Sequence, residues 1–445
     1  KCVSFAFYCL FACFGGFVSV SCCELFLPMG ALEDNTGATS AIFGNSTGPN
    51  GDETVRKFCD RKISSVRFLH DHSEYSSRFV TGTWCSPAGS GGNVTLWTVQ
   101  QQRDEQSQEG GRRIVQNGRI ELPNCDVGDI CVVNAQQFVV STTAGDVQIV
   151  ESPLASNGAN LADGIAKISS VAKYPRVHKF ASSTALCLLD EEIFSGSDSG
   201  QIIRIRPDSQ SSQSTRPFAQ DLTGVTSMTV CGTFHLVSAH KTGQLHLWDV
   251  RNWPSAPAIG AAAAAEFGHQ PVLSRSVTTL NNSITALATH PAQPNLIAFG
   301  SQDGVVSFVD IRQVNRQLPV AFKVSQHPIS RIKFHPIFAN NFFSSSDSGL
   351  IHWDASALAQ GANLNPPTNG REMTGHESAA DMRTTGENEH TNIWLSPHAS
   401  TSVNLRVLID EDPLLLSSFD VVNGAIVAAS HTAELVFMSN DKFTN

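Results

Sequence analysis

Short apolar runs broken by glycine turns recur along most of the chain, and each turn stands in register with an apolar position beyond it. In six places a glycine after such a run is answered by a large apolar residue four or five positions later: Gly92 by Trp97, Gly145 by Val150, Gly200 by Ile205, Gly243 by Trp248, Gly304 by Val309 and Gly349 by Trp353. A run such as Phe138-Val139-Val140, then a glycine turn, then an alternating segment ending on an apolar residue predicts a hairpin with one buried face. His290-Pro291 and His335-Pro336 each stand fourteen residues before a turn glycine, Gly304 and Gly349. Each His-Pro closes an apolar run, and proline, which has no N–H to donate, ends ladder pairing there. The unit is therefore strand, turn, strand, glycine turn, strand, and a fourth outer strand completes the blade of a propeller.

The turn glycines are 43 to 61 residues apart. The shortest spacings match the roughly 40–45 residues of a WD repeat. The excess falls in insertions at about 152–163, 252–270 and 356–389, one with an alanine run at 261–265. A seventh unit occupies 414–419, 425–429 and 434–438, with Ala433 at the glycine position. That unit lacks a strand, while a surplus strand, 55–59, stands before the opening strand of the first unit at 63–69. Pairing the surplus strand into the seventh blade removes two open sheet edges. The fold expected is all-β, a seven-bladed WD-repeat β-propeller over 54–442 closed by its N-terminal strand, preceded by a disordered stretch over 29–53.

Composition sharpens this picture. A chain of 445 residues admits about three ordinary domains or one repeat ring. Thirty Lys and Arg against forty Asp and Glu leave a net charge of -10, which argues against direct nucleic-acid binding. Charged residues are 16% of the chain, below the roughly 25% of an average domain, as expected for short strands rather than salt-bridged helices. Residues 1–28 stand apart: they hold five of the eleven cysteines and six of the 26 phenylalanines, with Lys1 and Glu24 as their charges. They are read as an extended gene model, with translation starting at Met29 and no membrane span in the mature protein. The alternative is a secretory signal, for which Ser19 and Ser21 supply a cleavage-like site. The remaining cysteines (Cys59, Cys85, Cys125, Cys131, Cys187, Cys231) form no CxxC pair. Buried reduced thiols, and a nuclear or cytosolic compartment, are expected.

Trp248-Asp249 and Trp353-Asp354 are WD dipeptides, and Trp97 holds the same place without the Asp. Each indole N–H is expected to find an acceptor within its turn. His327, a serine of the 344–346 run, Asp347 and Trp353 are expected to form a structural hydrogen-bonded chain in the sixth blade. Asp198, Asp303 and Asp347 recur beside turn glycines, as Asx turns require. The sequence has no GxSxG elbow, P-loop, HExxH or EF-hand loop, so no catalytic residue, cofactor or metal site is predicted. Arg251 and Arg312 end WDxR-like elements, Trp248-Asp249-Val250-Arg251 and Val309-Asp310-Ile311-Arg312. Such elements resemble those of propellers that serve cullin-RING ubiquitin ligases as substrate receptors, which makes both arginines candidates for partner binding. The local alternative is that each bonds to turn carbonyls of the neighbouring blade.

Four segments together resemble one family, the small WD-repeat nucleoporin of the Y-shaped outer-ring complex of the nuclear pore. They are Arg61-Lys62-Ile63-Ser64 with Phe79-Val80-Thr81-Gly82-Thr83-Trp84 and Leu96-Trp97; Gly243-Gln244-Leu245-His246-Leu247-Trp248-Asp249-Val250-Arg251; Gly300-Ser301-Gln302-Asp303-Gly304 with Asp310-Ile311-Arg312-Gln313; and Ile351-His352-Trp353-Asp354-Ala355-Ser356. Trp394-Leu395-Ser396, before the seventh unit, also resembles that family. The chain departs from it at Val309, where a Trp is expected, in the alanine-rich insertion and at the amino terminus. The resemblance implies a non-enzymatic scaffold that binds other Y-complex nucleoporins, in particular an α-solenoid subunit of the short arm, at the nuclear envelope. It also implies roles in pore assembly, protein import and mRNA export, and kinetochore association in dividing cells.

Overall fold

Alternating apolar positions force each strand to bury one or both faces, and strands joined by tight turns can do so only by pairing in sequence. The computed structural model describes residues 46–47, 53–69, 78–84, 91–102, 111–152, 168–207, 215–251, 270–278, 282–314, 318–356, 392–395, 403–410 and 415–439. Their strands form seven sheets, six of four strands and one of five. The first blade is built from Ile63–Phe68, Arg78–Thr83, Gly92–Gln102 and Gly111–Leu122, paired antiparallel in chain order. Blades two to six open with Val127–Val132, Ser183–Leu189, Val225–Cys231, Ile284–Thr289 and Ile329–Phe334 and repeat that order. Residues 1–28, most of the stretch 29–53 and the three insertions, apart from their edges, lie outside the described residues, as does Cys85; within 29–53, expected to be disordered, Ser46–Thr47 instead pairs as a fifth strand with the start of Glu53–Phe58.

The seventh blade joins the two ends of the chain. Leu416–Val422, Ala425–Ser430 and Glu434–Ser439 supply three strands, and Glu53–Phe58 pairs antiparallel with Glu434–Ser439, Val55 opposite Phe437. Arg56 reaches Glu434 at 3.2 Å, and the Cys59 amide donates to the Ala433 carbonyl at 2.7 Å. The closing strand thus lies where the surplus strand was expected.

Seven apolar clusters hold the ring, one between each pair of successive blades. Phe68, Phe79 and Trp97 of blade one meet Val427, Leu435 and Phe437 of blade seven, with Val55 of the closing strand among them. Corresponding clusters join each further pair around the ring, back to blade seven. Every opening strand also carries a register shift near its start, such as Ile63/Ser65, Val225/Ser227 and Leu416/Ser418. A bulge re-aims side chains, and here polar residues of the opening strands line the central cavity.

The two His-Pro pairs share more than proline's missing donor. His290 Nδ1 accepts from the amides of Ala292 at 3.2 Å and Gln293 at 3.0 Å, and His335 Nδ1 accepts from Ile337 and Phe338 at the same distances. The imidazole caps the turn that the proline starts. Burial pushes both histidines down to about 4, so each stays a neutral acceptor at pH 7.

Two turns refine the glycine pattern. In blade one the left-handed residue is Gly91 (φ 62°), one position before the glycine of the sequence repeat, and Gly92 begins the strand. In blade seven Ala433 does occupy the glycine position, at φ 64°. A Cβ in that conformation costs about 1–2 kcal/mol, whereas glycine costs about 0.5–1 kcal/mol through the unfolded chain. Ala433→Gly is therefore expected to stabilise the ring by roughly 0.5–1 kcal/mol, read as a rise of about 1–3 °C in thermal midpoint. A lowered midpoint would contradict this reading.

Candidate functional site: the WD networks and the central cavity

Side chains two apart on a strand share a face, so a tryptophan near the end of a third strand can reach across to the second. Trp97 Nε1 donates to Thr81 Oγ1, Trp248 Nε1 to Ser238 Oγ and Trp353 Nε1 to Ser344 Oγ, each at 2.9 Å. The acceptors lie on the adjacent strand rather than in the turn where they were expected. Val309, where a fourth Trp would stand, is buried without a polar partner to satisfy.

The chain expected in blade six does not assemble. His327 is exposed at the rim, its Nδ1 4.0 Å from Asp347 Oδ2, and its amide donates to Ser325 Oγ. Trp353 and Ser344 pair without it. The full relay occurs in blade four instead: Trp248 meets Ser238, Ser238 meets His240 Nε2 at 2.8 Å, and His240 Nδ1 lies 3.0 Å from the Thr223 carbonyl and 3.3 Å from Asp221 Oδ2. With Nδ1–H donating to the carbonyl and Nε2 accepting from serine, His240 is neutral, in line with its lowered pKa, which burial causes. In blade six the relay histidine was sought before the opening strand, at His327, whereas in blade four it is His240, at the end of the second strand, with Asp221 in the preceding connection.

The WD aspartates close the turn after the third strand. Asp249, Asp310 and Asp354 each accept the amide two residues on, from Arg251 at 3.0 Å, Arg312 at 2.9 Å and Ser356 at 2.9 Å. Arg251 and Arg312 then fold back onto the same carboxylates through Nε and Nη2, at 3.0 and 2.7 Å and at 3.1 and 2.6 Å. Neither follows the expected route to a neighbouring blade's carbonyls. The hydrogen bond from Arg251 holds Asp249 down to about 2. Both side chains remain more than half exposed, and Arg251 lies 4.7 Å over the Phe234 ring. Two separate blades thus present the same planar guanidinium, fixed in place, at their edges.

At the centre the opening strands line a polar cavity of about 350 Å³. Arg67 donates to Asp129 at 2.6 Å and to Ser418 at 3.1 Å, Lys333 pairs with Asp420, and Asp420 accepts the Phe68 amide at 2.8 Å. Asp129 also accepts the Leu186 amide at 3.2 Å. Arg331 stands 3.9 Å from Asp129, and burial together with Arg67 pushes its guanidinium down to about 10, still charged at pH 7. One charge relay thus crosses blades six, seven, one and two. The sequence offered no signal for it, because these residues are isolated from each other along the chain and only the bulges bring them inward.

Five described cysteines carry free thiols. Burial pushes Cys59 and Cys131 up to about 12 and Cys231 to about 11, the mark of inert packing groups. Among the described residues, Trp394 is a large buried ring outside the blades. It sits in a short 3-10 turn, Ile393–Leu395, and stacks on Phe308 at 4.9 Å between blades five and six.

Blade order, tryptophan relays and strand-capping aspartates define a WD-repeat β-propeller. A family model described as Nucleolar protein 10-like, N-terminal domain, matches residues 166–397, from the outer strand of blade two to just past Trp394. The chain belongs to that β-propeller family. It is also 24% identical over 407 residues to nucleoporin Nup43 of Mus musculus and 23% identical over the same length to that of Homo sapiens. Each alignment takes in 88% of this chain and 100% of the relative. The likeness to a small WD-repeat nucleoporin therefore extends well beyond the four segments in which it is visible by eye.

Proposed function

We propose that the protein is a non-enzymatic scaffold subunit of the nuclear pore, acting through protein-protein contacts in the Y-shaped outer-ring complex and docking there on an α-solenoid nucleoporin of the short arm. The observation that carries this is the alignment with two proteins named nucleoporin over their whole length, whereas the family model covers about half of this chain. A closed ring with rim-borne side chains suits such a role, since it presents several faces without changing shape. Pore assembly, protein transport and mRNA export follow from membership of that complex, and residence at the nuclear envelope with them. The relatives' names give the kinetochore no support, and the proposal does not extend to it.

Tagging the protein at its carboxyl end, imaging it and purifying it with its partners tests the reading. A nuclear rim with outer-ring nucleoporins in the eluate is expected. An eluate without them would overturn it.

A second reading, substrate receptor of a cullin-RING ubiquitin ligase, rests on the matched geometry of Arg251 and Arg312. Under it, Arg251→Ala with Arg312→Ala abolishes adaptor binding while the far-ultraviolet circular dichroism and thermal midpoint stay close to those of the parent, because solvent screens ion pairs made by exposed arginines. Under the nucleoporin reading no cullin adaptor co-purifies with either form.

A further inference from the structure

Blade four holds a histidine that the tryptophan relay does not use. The third strand, Gln244–Asp249, alternates faces, so His246 shares a side with Trp248 and packs edge-on against it at 5.6 Å. His246 is 5% exposed, and neither ring nitrogen has a hydrogen-bond partner. A buried imidazole with both nitrogens unmatched calls for an explanation. Its ring centre lies 4.3 Å from that of His240. His246 Nδ1 is 3.3 Å from Asp221 Oδ2, and His240 Nδ1 is 3.3 Å from the same oxygen. The other oxygen, Oδ1, is held by the Leu222 amide at 2.5 Å, which fixes the carboxylate.

These separations are long for N–H···O hydrogen bonds, whose usual limit is about 3.2 Å. They fit a different role. A tetrahedral Zn²⁺ with nitrogen and oxygen ligands at about 2.0–2.1 Å has ligand-to-ligand edges of about 3.3–3.4 Å. All three donor atoms fall within 4.8 Å of one another. Both rings are buried, and burial disfavours the charged imidazolium, leaving the neutral form that ligates a metal.

We propose that Asp221, His240 and His246 form a binding site for a divalent transition metal of the zinc type, joining the connection from blade three to the second and third strands of blade four. Asp221 Oδ2 and the two Nδ1 atoms are the protein ligands, and solvent entering past the partly exposed Asp221 completes the set. Metal on His240 Nδ1 replaces that ring's bond to the Thr223 carbonyl and moves its proton to Nε2, which then donates to Ser238 Oγ, while Trp248 Nε1 still donates to the same oxygen. The inference rests on the fold and is independent of the nucleoporin reading.

The test uses the full chain, stripped with a chelator and titrated with ZnCl₂ by calorimetry, with Co²⁺ as a spectroscopic probe. One equivalent should bind and raise the thermal midpoint, and Co²⁺ should give the visible bands of tetrahedral nitrogen and oxygen ligation without an intense thiolate band. His246→Phe keeps an aromatic ring beside Trp248, so this variant should fold without metal and bind Zn²⁺ at least tenfold more weakly. Asp221→Asn should show the same loss if His246→Phe proves unstable. Absence of one-equivalent binding by the parent, a thiolate-dominated Co²⁺ spectrum, or unchanged affinity in a folded variant would overturn the site.

Discussion

A chain lacking residues 53–60 is expected to melt on the order of 10 °C below the intact protein and to self-associate on concentration. The deletion removes six residue pairs with Glu434–Ser439 and the buried Val55 side chain from the seam between blades seven and one. Net hydrogen-bond contributions of about 1 kcal/mol each and about 1.5–3 kcal/mol for a buried valine, offset by the ordering entropy recovered, leave roughly 5 kcal/mol. It also uncovers a long apolar edge strand, which templates pairing with other chains. Scanning calorimetry with light scattering reads both effects, and an unchanged midpoint would show that the seam is held elsewhere.

Asp420→Ala is expected to destabilise the ring by about 3–5 kcal/mol, since it strands buried charge and a backbone donor together. Lys333 and the Phe68 amide lose their acceptor, and Arg67 loses a nearby counter-charge. Asp420→Asn, which keeps an acceptor but no charge, should cost less. The two changes also separate the acid response into stages. Burial opposes the Asp420 carboxylate, but Lys333 and Arg67 outweigh it and hold its pKa below the usual carboxylate range. Its contribution is therefore full above about pH 4 and lost as pH falls further. The buried neutral histidines act earlier: His178, His290, His335 and His352, held down to about 4 chiefly by burial, contribute stability that is complete above about pH 6.5 and lost on the way down to about pH 4. Denaturation midpoints across pH should show Asp420→Asn flattening the lower stage and leaving the upper one unchanged. Equal flattening of both would contradict the assignment.

The blade count, the closing strand and Ala433 were legible in the sequence because each leaves a local mark: a run, a turn, a register. Tertiary relays leave none. Ser344, His327 and Asp347 looked like partners of Trp353 because they stand where repeats join adjacent strands, yet only Ser344 faces the indole. The working relay in blade four draws Asp221 from one side of a strand connection and His240 and Trp248 from the other. The charges of the central cavity were missed for the same reason, since Arg67 and Asp420 are neighbours only after the ring has closed. Trp394 was noticed through family likeness alone. Its position as a plug between blades five and six depends on packing that no periodic pattern records.

The seam also sets the order in which the molecule can be completed. Arg56 and its partner Glu434 are 378 residues apart in sequence. At translation rates of about 5–20 residues per second, the closing strand waits roughly 20–75 s for the strand it pairs with. Throughout that interval six blades can assemble one after another while the ring stays open, and its amino-terminal edge remains the part of the nascent chain most in need of shelter.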